Sequence, residues 1–170
     1  MAISLDLRTC RLGTGTRKMK NPFDVFGSSE IEVPDDGGLS SEEKNAVKEI
    51  LDTIAGPEPP PEYIDWSTEF DDGGMVEVWA SGLDDGSIVN TVSVVIWQRS
   101  HFVTELLFQL SSKGNLAIVT KVEGVGPWVT SAEQLAAVKG RWPAAQLVAT
   151  PAELTKKIAR SRDELDMDVD

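Results

Sequence analysis

The sequence predicts an α+β fold: a four-stranded antiparallel β-meander with helices packed on one face, a two-layer sandwich with room for an extra N-terminal strand. Three observations carry this. Apolar and polar residues alternate through Met75–Ser81, Ile88–Gln98, Phe102–Ser111 and Asn115–Glu123. The segments between these runs, GLDDGS, RSH and SKG, are short and turn-like. On both sides lie stretches that begin at capping residues and repeat apolar residues every three to four positions, as amphipathic helices do.

In chain order, Ile3, Leu5 and Leu7 alternate in ISLDLRT, which reads as a short strand. The following GTGTRKMKNPFDVFGSSEIEVPDDGG holds no sustained period and many turn residues, so a long loop or flexible arm is expected. Residues 1–38 are accordingly read as strand plus arm, 39–166 as a single α+β domain and 167–170 as an acidic tail. LSSEEKNAVKEILDTIAGP is a helix: Ser40 and Glu43 have capping-box spacing, Val47, Ile50, Leu51 and Ile54 share a stripe, and Gly56-Pro57 stops it. PEPPPEY is a stiff, extended connector.

VSVVIWQRSHFVTELLFQL (92–110) is the most apolar stretch. A membrane span needs about 20 apolar residues in a row, and Gln98, Arg99, Ser100, His101 and Glu105 interrupt this one. A hairpin is expected, with Gln98 opposite Phe102, Val94 opposite Leu106 and the only histidine, His101, in the turn. The same parity sets Val78 beside Val92 and Glu105 opposite Lys121, with even-numbered positions toward the helices. The odd face then carries Met75, Trp79, Val95, Trp97, Val103 and Leu107 among Glu77, Ser93 and Glu105, too apolar for a face left to solvent. Cover by the N-terminal strand and arm is one expectation; a partner or second subunit is the other. VTSAEQLAAVKGRWP is a short helix with Thr130 and Glu133 as its box, AQLVA a short strand, and TPAELTKKIARSRDEL a helix capped by Thr150.

Charge bounds the function. The chain carries −12 over 170 residues, unevenly spread: residues 1–20 are net +4, 24–72 net −13, 73–162 net +2, and five acids follow. Such a balance disfavours nucleic acid and anionic membranes, whose phosphates are gripped by Lys and Arg, and points to a basic protein partner. A lone cysteine, Cys10, rules out an internal disulfide, and the N-terminus lacks the apolar core of a signal peptide, so a reducing cytoplasm is expected.

Chemistry finds little purchase. One His and one Cys do not make a zinc site of the usual types, and any Ser-His-Asp or Cys-His arrangement would have to use His101. The pairs Asp35–Asp36, Asp71–Asp72 and Asp84–Asp85 lack the spacing of a calcium loop, and each DDG reads as a turn. GTGTRK lacks the G-K-[ST] of a phosphate loop. No catalytic residue, metal or cofactor is assigned. Tryptophan is enriched at binding hot spots, so Trp79 and Trp97, with Glu77 and Glu105 beside them and Asp35, Asp36, Asp71 and Asp72 in the acidic segment, form the candidate partner-binding set. The preferred reading is a non-enzymatic acidic protein-binding module, in its most specific form a bacterial toxin-neutralising immunity or inhibitor protein. The alternatives are a dimeric secretion-chaperone-like or adaptor protein, and a small enzyme or ligand-binding domain using the sheet face, with Glu77 and Glu105 as its acid–base pair.

Overall fold

The computed structural model describes residues 2–20, 30–55, 65–84, 87–121 and 125–166. Along the chain these form β1 (Ile3–Thr9), β2 (Leu12–Lys20), β3 (Glu30–Asp36), α1 (Ser41–Ile54), β4 (Trp66–Glu69), β5 (Met75–Trp79), β6 (Thr91–Gln98), α2 (His101–Gly114), β7 (Leu116–Thr120), β8 (Trp128–Val129), α3 (Ala132–Val138), β9 (Gln146–Leu147) and α4 (Pro151–Asp166). The chain is α+β, and its main sheet is mixed and seven-stranded in the order β4-β5-β6-β1-β7-β8-β9; β2 and β3 pair as a separate two-stranded ribbon.

The expected meander is not formed. Phe102–Ser111, read as a strand, is the body of helix α2. Thr104 is buried in it, and the other buried residues, Val103, Leu106, Leu107, Leu110, Ser111 and Gly114, recur at the 3–1–3–1–3 spacing of a helix stripe. The helix begins where Ser100, in extended backbone, accepts the Val103 amide on its hydroxyl at 3.2 Å, and ends at Asn115 in the left-handed region (φ 52°). Helix α2 therefore carries the chain from β6 to β7, which run parallel with β1 between them and antiparallel to both. That position for β1 overturns its expected role as a cover for the outer face: Leu5 and Leu7 are buried at the centre of the sheet. Part of the expected arm is the β2–β3 ribbon.

Parity was read correctly where strands do form. Val76 and Val78 of β5 and Val92, Val94 and Ile96 of β6 all face the core. The register is shifted by one pair, however, with Val78 opposite Val94 and Val76 opposite Ile96. Helices α1, α2 and α4 pack on this face, through Val47, Ile50 and Leu51, the α2 stripe, and Leu154 and Ile158. The expectation of helices on one face alone fails at the β7–β8–β9 end. There α3 lies on the opposite side, its Val138 packing with Ala117, Val129, Cys10 and Ala145 in a second small core. The α3 capping box is Ser131 with Gln134, one residue beyond the expected Thr130–Glu133 pair. Capping at Ser40–Glu43 for α1 is as expected, and Thr150 accepts the Glu153 amide at the start of α4.

Helices α1 and α2 run antiparallel. Asn115, at the end of α2, donates through Nδ2 to Glu43 Oε1 at the start of α1 (3.0 Å), and Gly114 sits against Val47. Their far ends, Ile54 and Phe102, consequently meet at the turn joining β4 to β5.

Candidate functional site

The eight candidate residues fall in three separate parts of the fold. Glu77, Trp79 and Trp97 lie on the outer face of β5 and β6, as the odd-numbered parity required. Glu77 is opposite Val95 and Trp79 opposite Ser93. Trp97 is 53% exposed and Met75 37%, so an apolar strip reaches the surface here. On the same face Asp6 of β1 accepts from the Ser93 hydroxyl at 3.0 Å, with Arg8 3.9 Å away. Asp35 and Asp36 close β3 in the separate ribbon, Asp36 opposite Leu12.

Glu105 is not on the sheet. It is half-buried on α2, on the side facing α1, where Gln109 donates to it at 3.3 Å. With the sheet between them, Glu77 and Glu105 cannot act as an acid–base pair, and that expectation is withdrawn. The expected cross-strand partnership of Glu105 with Lys121 falls with it.

Asp71 and Asp72 lie in the turn that meets the start of α2, the helix that carries Glu105. The turn after β4 carries Phe70, whose ring stacks on Phe102 at the start of α2, with centroids 5.9 Å apart and planes 28° from parallel. Asp72 fixes this junction. Its carboxylate accepts the amides of Gly74 (3.2 Å) and Phe102 (3.1 Å), so it serves both the turn and the helix start. Desolvation pushes its pKa up, but the Ser100 hydroxyl and the amides of Phe102, Gly74 and His101 outweigh that and hold it below the usual carboxylate range. Gly74 is obligatory here, since an added Cβ would lie 2.0 Å from the Ser100 hydroxyl.

From the aromatic pair a groove of about 350 Å3 runs between α1 and α2. Ile50, Ile54 and Leu106 form its floor, and Phe102, 46% exposed, forms one lip. Glu49, exposed, stands on its α1 wall and Glu105, half-buried, on its α2 wall. Among the described residues, Lys113 is the one cation lining the groove, at its far end. The result is an apolar trough with an acidic margin. Sequence reasoning missed Phe70, Phe102 and Glu49. The signal available was Phe102 itself, an apolar residue lying just off the α2 stripe.

His101 occupies the first position of α2 rather than a hairpin turn, its ring exposed and 6.0 Å from that of Phe102. With Gln98, Arg99 and Ser100 it lines a second cleft of about 600 Å3, closed at the bottom by the buried Ile96, Val103 and Ile158. Thr104 and Thr155 line it too, but both hydroxyls are within reach of carbonyls in their own helices, at Ser100 and Pro151.

Among the described residues no three His, Cys, Asp or Glu side chains are grouped to hold a metal ion. Asp84 pairs with Lys48 at 3.6 Å, while Asp85 lies outside the described residues. No described helix is long and apolar enough to cross a membrane. Comparison with protein-family models, with curated proteins and with solved structures finds no match to this chain.

Proposed function

We propose that this chain is a non-enzymatic, acidic protein-binding module that docks a basic protein partner, in its most specific form a toxin-neutralising immunity or inhibitor protein. The observation that carries the reading is the stacked pair Phe70–Phe102, which opens onto an apolar groove lined by Glu49 of α1 and Glu105 of α2. A half-exposed aromatic supplies apolar contact area, and acids of one sign around it steer and select a cationic surface. The concentration of charge in residues 24–72, net −13, acts in the same direction.

The test is affinity purification of the tagged chain from its own host at low and high salt, repeated with Phe102→Ser. A stoichiometric basic protein, weakened by salt and by the substitution, supports the reading. Recovery of the chain alone at low salt refutes it. For the immunity form, deleting the gene should arrest growth unless a toxin gene is removed with it; unchanged growth and competition sink that form.

A second reading, a dimeric adaptor or secretion-chaperone-like protein, is favoured by the exposed strip of Trp97 and Met75 on the sheet. It requires a stable dimer that Trp97→Ser dissociates. A monomer in sedimentation at high concentration rejects it.

A further inference from the structure

We infer that the groove between α1 and α2 receives a cationic amphipathic helix of the partner, an inference that rests on the protein-binding reading above. Its lining decides the partner's backbone conformation. Every described lining residue except Phe70 comes from the two helices, whose backbone groups are spent within the helices, and none of them belongs to a strand. An extended peptide laid there would have no row of amides and carbonyls to pair with, and its own backbone would go unsatisfied as the groove closed over it. A helix satisfies its backbone internally and needs only side-chain contacts. That is what this groove offers.

Length and charge narrow the partner further. The lining runs from Ala46 to Ile54 on α1 and from Phe102 to Lys113 on α2, roughly 12 and 17 Å at 1.5 Å per residue, so the groove matches a helix of two to three turns. The floor of Ile50, Ile54 and Leu106 and the ring of Phe102 call for apolar anchors at i, i+3 or i+4, and i+7. Glu49 stands on the α1 side of the trough and Glu105 on the α2 side, so residues flanking the anchors on both sides should be Lys or Arg. Lys113 marks the end where the partner's cationic residues stop.

The probe is a 15-residue synthetic peptide of leucine and lysine, with its leucines on one helical face. A permuted peptide of identical composition, with its leucines dispersed, is the comparison. Binding of each labelled peptide to the full chain is followed by fluorescence anisotropy at physiological salt, and peptide helicity by circular dichroism. The patterned peptide should bind at least tenfold tighter than the permuted one and gain helix on binding. Phe102→Ser should cost at least tenfold of that affinity, and so should Glu49→Lys with Glu105→Lys. Phe102 is half exposed, so its substitution should leave the chain's own spectrum unchanged; if it does not, the charge-reversed variant carries the test. Equal binding of the two peptides, or no effect of either variant, overturns the helix inference. A natural basic partner that is captured equally well by Phe102→Ser also overturns it while leaving protein binding standing. Failure to capture any basic protein removes the underlying reading instead.

Discussion

Glu43 ties three parts of the fold together, and replacing it with alanine should be costly for an apparently ordinary helix-surface residue. Its carboxylate accepts Arg11 Nε at 3.1 and 2.9 Å, the Ser40 amide at 2.8 Å and Asn115 Nδ2 at 3.0 Å. It thereby links the exit of β1, the start of α1 and the end of α2. The side chain is only 12% exposed, whereas Arg11 is 50% exposed. Solvent screening limits the Arg11 pair to about 1 kcal/mol or less. The Ser40 and Asn115 bonds are part-buried, and each is worth about 1 kcal/mol. Glu43→Ala should therefore lose about 2–3 kcal/mol, and Arg11→Ala about 1 kcal/mol or less. Urea unfolding followed by tryptophan fluorescence at neutral pH measures both. The pH dependence has a fixed sign. Burial pulls the Glu43 pKa up, but the bonds from Arg11, Ser40 and Asn115, with the Arg11 charge, outweigh it and hold the value below normal. A depressed carboxylate stabilises fully above its unfolded pKa, about 4.3, and loses that contribution as pH falls through the folded value. The gap between wild type and Glu43→Ala should thus be constant from neutral pH to about 5 and shrink below about 4. A neutral-pH loss under 0.5 kcal/mol, or an equal loss from Arg11→Ala alone, would refute the three-way assignment.

The remaining predictions concern packing and the thiol. Cys10 is 1% exposed, and its pKa is pushed up to about 12, chiefly by burial and then by the Glu43 charge, with Arg141 opposing. The native chain at pH 8 should resist a thiol reagent that labels it promptly in denaturant; equal rates would contradict the burial. In Gly114→Ala the new Cβ would lie 2.5 Å from Val47 Cγ2, forcing α1 and α2 apart at a cost of about 1–3 kcal/mol; an unchanged urea midpoint would mean the two helices do not cross as closely as described. Trp128 is 1% exposed and packed in the main core, so Trp128→Ala should cost about 3–5 kcal/mol, read by the same unfolding assay.

Short-range patterns were legible in the sequence wherever the local signal was unopposed. Ser40–Glu43 marks the start of α1, with Val47, Ile50 and Leu51 buried as its stripe required. Alternation in Met75–Trp79 and Thr91–Gln98 placed Val76, Val78, Val92, Val94 and Ile96 inward and Glu77, Trp79, Val95 and Trp97 outward. It failed at Phe102–Ser111 because Phe102 and Phe108 lie off the buried stripe, so even-numbered apolar residues imitate a strand across a helix. The Ser100 cap and the buried spacing 103, 106, 107, 110, 114 carried the opposite message. Once that helix was read as a strand, the path from β6 to β7 became a turn, and no gap remained for β1 to enter.

What the sequence determined by itself is the α+β class, the caps of α1 and α4, the strand parity and the uneven acidity, all set by neighbours within a few residues. Tertiary structure alone decided that β1 fills the centre of the sheet, since strand order depends on which edges meet after the chain returns from far away. It also decided the candidate site. Phe70 and Phe102 stand 32 positions apart, and Glu49 a further 21 before Phe70. They meet only because α1 and α2 run antiparallel on one sheet face and Asp72 fastens the β4–β5 turn to the first amides of α2.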